Sequence, residues 1–216
     1  MSCRAAFRIG LIVAFGLFGP RAIVAQRVGV TGFGVVANPR GTVLYQGVRE
    51  TVGGRWLGIA VEIKVQQFSI IASGLRGTLT PIESTPFERD GGEEGLVVRF
   101  EPRSGIGAEA TYTARVFSSA AGYQRWNMMG LGAWLTTALG DPALQAYVRG
   151  TYLPAVSVSG QPSPSIALGA EVGATASLRR APVVLQVMYR FERFDFPGRF
   201  EQFERIALAV GYQFRR

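Results

Sequence analysis

From residue 27 to the C-terminus the chain repeats one pattern: segments of about ten residues in which large apolar side chains alternate with small or polar ones, separated by turn residues. The last of them, "IALAVGYQF" at 206–214, puts Ile206, Leu208, Val210, Tyr212 and Phe214 on one side of an extended chain. Ala207, Ala209, Gly211 and Gln213 fall on the other, a bare face that leaves room for long side chains from neighbouring strands. Trp56–Val65, Ser165–Ser177 and Pro182–Arg193 alternate just as clearly. A period of two belongs to β-strands, because successive side chains leave an extended backbone on opposite faces.

Reading these segments with their neighbours predicts ten strands, near 27–37, 55–65, 68–80, 95–102, 107–117, 126–139, 143–153, 165–177, 182–193 and 203–214. Eight is the alternative count, because the first and third segments have mixed faces. Residues 126–139, "WNMMGLGAWLTTAL", also place Met128, Leu131, Leu135 and Ala138 on one face of a helix, although Gly130 and Gly132 favour a strand. Gln66 and Gln67, "GDP" at 140–142 and "LRRA" at 178–181 form tight connections. The connections at 38–54, 81–94, 118–125, 154–164 and 194–202 are longer and carry the prolines, glycines and acids. Short turns alternating with long loops, with an even number of strands, predict a closed antiparallel up-and-down transmembrane β-barrel whose last strand pairs with its first.

A charge facing lipid at mid-membrane costs about 2–4 kcal/mol, so charged positions mark the inner face. In the second strand Glu62 and Lys64 then point inward and Leu57, Ile59, Val61 and Ile63 outward. The same rule sends Arg76, Arg99, Glu101, Glu109, Arg115, Arg149, Glu171, Arg190 and Glu192 to the lumen, five acids and six bases in all. Such near-balance predicts ion pairs across a narrow, filled interior. Trp and Tyr prefer membrane interfaces. By strand direction, Trp56, Phe117, Trp126, Tyr152, Tyr189 and Phe191 are expected at the outer boundary, and Phe68, Phe100, Tyr212 and Phe214 at the inner one. Trp134 fits neither girdle.

The N-terminus, "MSCRAAFRIGLIVAFGLFGPRAIVAQ", places Arg4 and Arg8 before ten apolar or small residues from Ile9 to Phe18 and small residues leading to Ala25. About 20 apolar residues are needed for a spanning helix, so residues 1–25 read as a cleaved signal peptide and residues 26–216 as one domain. Cleavage removes the single cysteine, Cys3, and lowers the formal charge from +8 to +5 by taking Arg4, Arg8 and Arg21. The remaining arginines are scattered, which argues against nucleic-acid binding.

The leader, the alternation of turns and loops, the aromatic girdles and a final strand closing on Tyr212, Gln213 and Phe214 resemble a Gram-negative outer-membrane β-barrel protein. The resemblance covers residues 26–216. It implies export to the outer membrane, contact with outer-membrane lipid, a monomeric state, and recognition of the aromatic-ended terminal strand by the barrel-assembly machinery. Arg215 and Arg216 follow that strand, where the class ends on the aromatic itself. A fold of this kind hosts many activities.

Chemistry is sparse. The chain has no histidine, and the mature chain has no cysteine. That removes Cys/His metal sites and Ser/His/Asp or Cys nucleophile systems. "GFGVVA" and "GIGAEA" match a dinucleotide-binding spacing, but neither opens a helix. The acidic stretch 81–94 is expected as a solvated loop that lacks calcium-loop spacing. No catalytic residue, cofactor or metal is expected, and the residues do not specify what the extracellular loops bind. The functional expectation is a non-enzymatic barrel with a charge-filled lumen, acting in envelope structure or surface interaction through extracellular loops. A narrow channel for small solutes or ions is the first alternative, and a soluble lipocalin-like ligand-binding barrel the second.

Overall fold

The structure is a computed structural model that describes residues 28–83, 87–102, 105–120, 122–178 and 180–214. The expected leader at 1–25 and the two terminal arginines lie outside these residues. Ten strands follow one another: β1 Val28–Tyr45, β2 Val48–Val65, β3 Phe68–Glu83, β4 Arg89–Phe100, β5 Ile106–Ser119, β6 Gly122–Leu139, β7 Asp141–Val158, β8 Ile166–Ser177, β9 Val183–Phe196 and β10 Arg199–Phe214. Each pairs antiparallel with the next, and β10 closes on β1, with Val30 opposite Phe214 and Ala37 opposite Ala207. The count is ten, not eight. Residues 126–139 are strand, hydrogen-bonded on both sides to β5 and β7.

The strands are longer than the alternation suggested, and the long loops largely disappear. Residues 38–54 supply the end of β1, a two-residue turn at Gln46 and Gly47, and the start of β2. Residues 194–202 become strand on either side of Pro197 and Gly198, and Glu93 and Glu94 lie within β4 rather than in an acidic loop. The turn-forming residues that hid these strands sit at irregularities in the ladders. The β1–β2 register passes from Ala37↔Trp56 to Arg40↔Gly53 around Pro39, which has no N–H to give. The β6–β7 register shifts by one residue between Met129↔Ala155 and Leu131↔Tyr152, a bulge that accommodates Pro154.

Strands of 18 residues, such as β1, β2, β6 and β7, rise about 45 Å at about 3.3 Å per residue and a tilt of about 40°. An apolar band about 25 Å tall uses only about ten residues of each. The outer face divides accordingly. Nearest the termini it is aliphatic and exposed: Leu57, Ile59, Val61 and Ile63 on β2, Leu185 and Val187 on β9, Ile206, Leu208 and Val210 on β10. Toward the opposite end it becomes polar, with Arg40, Arg55, Arg76, Asp90, Glu94 and Arg193 all exposed.

The inner face is filled by a repeated device in which a large ring lies across a glycine on the neighbouring strand. Phe33 is opposite Gly211, Trp56 opposite Gly77, Trp134 opposite Gly107 and Tyr147 opposite Gly173. A Cβ on Gly211, Gly77, Gly107 or Gly173 would fall 2.6, 2.7, 1.8 or 2.5 Å from an atom of that ring. The bare side of β10 thus makes room at Gly211 for an aromatic ring rather than for long charged side chains, and Ala207 sits in an apolar cluster with Trp56 and Phe203.

Gly77 has a second constraint, since its added Cβ would also lie 2.0 Å from the Arg55 carbonyl oxygen, whereas Gly34 faces open space. Gly77→Ala is therefore expected to destabilise the barrel by at least about 1–3 kcal/mol, the range for overpacking. Gly34→Ala should be close to neutral. Equilibrium urea unfolding of barrels refolded in detergent micelles measures both, and equal midpoints for the two variants would show that the ring does not need the bare glycine.

Candidate functional site

Among the described residues the interior gathers the buried ion pairs, and it is layered. At the end away from the termini large apolar side chains dominate it, with Glu50, Arg89 and Glu201 bordering a small cavity among them. Trp56, Leu75, Leu79 and Phe203 form one buried cluster with Phe117 packed against it, and Trp126, Met128, Leu153, Val156, Phe194 and Phe196 form another. Trp56 and Trp126 were expected at a membrane boundary, but they are 0% and 3% exposed and face inward, as does Phe117. Their positions lie above the aliphatic band, where the barrel wall is polar outside, and large rings there are buried by turning in. Tyr152, Tyr189 and Phe191 do face outward, with Tyr152 and Tyr189 exposed. So do Phe68, Phe100, Tyr212 and Phe214 at the terminus end, where Phe68 packs on Phe100 and Tyr212 on Phe214 at 5.0 and 4.9 Å between ring centroids.

Below the rings lies a lattice of ion pairs. Arg115 on β5 donates from Nε and Nη2 to Glu93 Oε2 on β4, at 2.9 and 2.6 Å, and from Nη2 to Glu192 Oε2 on β9, at 2.6 Å. Its guanidinium also sits 3.9 Å from the ring centroid of Phe203. Arg205 on β10 donates to the other oxygen of Glu93 at 2.7 Å, and Arg190 pairs with Glu192 at 2.5 Å. β5 and β9, like β10 and β4, are four steps apart around the ten-strand ring, so these bonds span the lumen.

A second group lies toward the termini. Arg149 on β7 pairs with Glu109 on β5 at 3.1 Å and with Glu171 on β8 at 2.6 Å. Arg99 pairs with Glu109 at 3.2 Å and lies 4.6 Å above the Trp134 ring, which points inward. Tyr147 donates its hydroxyl proton to Glu171 at 3.0 Å and accepts a hydrogen bond from Gln186 at 3.1 Å. Lys64 and Glu101 pair at 2.6 Å near the mouth.

Two cavities lie on opposite sides of the lattice. The one at the far end is about 40 Å³ and is bordered by Glu50, Arg89, Phe117 and Phe203. The one at the terminus end is about 450 Å³ and is bordered by Glu62, Lys64, Arg99, Glu101, Trp134 and Tyr147, among others.

Of the charges assigned to the lumen from sequence, Glu62, Lys64, Arg99, Glu101, Glu109, Arg115, Arg149, Glu171, Arg190 and Glu192 lie inside. Arg76 does not. It is exposed on the outer face of β3, sharing that face with Ile70, Ala72 and Gly74. Charge alone misassigned it, because β3 is apolar on both faces and Arg76 stands above the aliphatic band, where an outward charge meets water. Two members of the buried lattice were missed. Arg205 has the same parity as Ala207, Ala209 and Gly211, so alternation already pointed it inward. Glu93 has the parity of Val97 and Arg99 but was assigned to a loop.

No protein-family model matches the chain, and no curated protein matches it in sequence. Solved structures do. The outer-membrane protease OmpT from Escherichia coli matches with a TM-score of 0.56 at 13% identity, over 90% of this chain and 98% of that one. The translocator domain of the autotransporter NalP from Neisseria meningitidis matches with a TM-score of 0.50 at 15% identity, over 98% and 96%. The chain therefore has the fold of an outer-membrane β-barrel, and at these identities the likeness extends no further.

Removing Arg115 would leave Glu93 and Glu192, both buried, with one arginine each in place of two, and breaking a buried pair typically costs about 3–5 kcal/mol. Arg115→Met is expected to fall in that range in micelle unfolding experiments, while Arg76→Gln, on the exposed outer face, should stay within about 0.5 kcal/mol of the parent. Similar values for the two would mean that the cross-barrel pairs do not hold the structure.

Proposed function

We propose that the protein is a closed, non-enzymatic barrel of the outer membrane of a Gram-negative-type bacterium, exported by residues 1–25, that serves envelope structure or surface interaction. The observation that carries this is the lattice of Glu93, Arg115, Glu192, Arg190 and Arg205, which ties opposite walls together directly beneath a layer of packed rings. Opposite charges in a narrow, low-dielectric interior hold each other unless water separates them. The exposed aliphatic outer face of β2, β9 and β10 supports lipid contact and argues against a soluble ligand-binding barrel. Because the expected loops are mostly strand, surface interaction falls to the polar wall beyond the band and its hairpin tips.

OmpT is a protease by name. Support for a non-enzymatic role here comes from the lack of any histidine and from the engagement of the innermost carboxylates, Glu93, Glu109, Glu171 and Glu192, by arginines. A second reading, a narrow channel, draws on the 450 Å³ polar cavity that opens part of the path from the terminus end.

Planar-bilayer recordings separate the two. The parent protein is expected to show no stable unit conductance, and Arg115→Ala, which cuts the β5–β9 tie across the lumen together with the bond to Glu93, to show open events. Stable openings of the parent protein would overturn the closed barrel in favour of the channel.

A further inference from the structure

Six glutamates face the interior at or below the lattice. Glu93, Glu101, Glu109, Glu171 and Glu192 each have a cationic partner within 3.2 Å. Glu62 is different: among the described residues its side chain has no ion pair and no hydrogen bond. It lies on the inner face of β2, opposite Thr31 of β1, and borders the 450 Å³ terminus-end cavity.

The nearby cations do not neutralise it. Lys64, two residues along the same face, is held by Glu101 at 2.6 Å, and Arg99 is held by Glu109 at 3.2 Å. The cavity thus offers one uncommitted negative charge. Around it stand neutral hydrogen-bonding groups, including Thr136, Gln145, Thr175, Ser177 and Gln213, and apolar surface from Phe33 and Trp134. A volume of 450 Å³ falls in the range of small-molecule sites. It is far larger than a bare ion requires, since one water takes about 30 Å³. A partly buried carboxylate gains from an opposite charge that excludes water, and hydroxyl and amide groups in the wall reward a ligand carrying hydroxyls.

We propose that the terminus-end cavity binds a small polar solute bearing one ammonium group, about the size of an amino sugar, with Glu62 as its counter-charge. The site opens on the side of the chain termini and does not depend on passage through the lattice.

The test uses the mature chain folded in detergent micelles, titrated calorimetrically with glucosamine as the probe, and with glucose and Mg²⁺ as controls. Because it reads occupancy in solution, its outcome is independent of whether the barrel conducts. Glucosamine is expected to bind saturably and glucose, which lacks the ammonium, not to bind. Glu62→Gln keeps the shape and removes the charge, so affinity should fall at least tenfold. Lys64→Met releases Glu101 as a second free carboxylate and should tighten binding, which keeps the proposal testable if Glu62→Gln folds poorly. No binding of glucosamine, equal binding of glucose, or unchanged affinity in both variants would overturn it. So would Mg²⁺ binding as tightly as glucosamine and displacing it, which would make this an inorganic-cation site.

Discussion

Arg115 is the interaction on which the rest of the interior depends. One side chain, 2% exposed, holds a carboxylate of the adjacent strand and another nearly across the ring, while its guanidinium face lies on Phe203. Burying a charge this deeply is unfavourable unless every partner is in place. Here the partners are themselves doubly held, Glu93 by Arg205 and Glu192 by Arg190. Such a lattice favours one arrangement of the walls, because a change in strand count or register would separate groups that cannot be left unpaired. A barrel whose backbone bonds run only between sequence neighbours and across one seam gains from these ties a direct link between β5 and β9 and between β4 and β10.

The strands are long because the barrel performs two jobs along its height. In the half nearest the termini the outer face is aliphatic and the inner face charged; in the other half the outer face carries Arg40, Arg55, Arg76 and Asp90 while the inner face carries Trp56, Trp126, Phe194 and Phe203. The polarity inverts at the level of the lattice. The same period-two alternation runs through both halves, so a strand continues unbroken while its hydrophobic face changes sides. The far half is then stabilised as a water-soluble barrel would be, by burying rings inside, and the near half as a lipid-facing one, by placing apolar groups outside.

That inversion explains what the sequence disclosed and what it hid. Strand count, closure of the last strand on the first, and the outward faces of β2, β8, β9 and β10 were legible, because they rest on alternation in the half whose outer face is aliphatic, where the meaning of each face is constant. Trp56, Phe117 and Trp126 were misplaced because the rule that aromatics mark the membrane boundary was carried into the half where it no longer applies. Arg76 failed for the same reason, since an outward arginine is costly only beside lipid. The prolines and glycines at 38–54 and 194–202 suggested loops, but Pro39 sits at a gap in the ladder and Gly53 and Gly54 lie within β2. Glu93 was hidden because an acid-rich stretch reads as solvated until the partners that bury it, Arg115 and Arg205, are brought from 22 and 112 residues away.

The aromatic–glycine pairs complete the physical argument for a filled lumen. A ten-stranded ring has little interior width, and side chains from opposite walls compete for it. Bare glycines at 77, 107, 173 and 211 let the rings of Trp56, Trp134, Tyr147 and Phe33 lie flat against the wall instead of projecting to the axis. The space left at the centre is what the arginines and glutamates then occupy, and Arg99 and Arg115 rest on the faces of Trp134 and Phe203. Rings flatten to admit the charges, and the charges, once paired, lock the rings. Near the mouth, where Glu62 has no partner among the described residues, the filling stops and the cavity begins. The interior is therefore densely filled in its upper and middle layers and holds its larger cavity in its lowest.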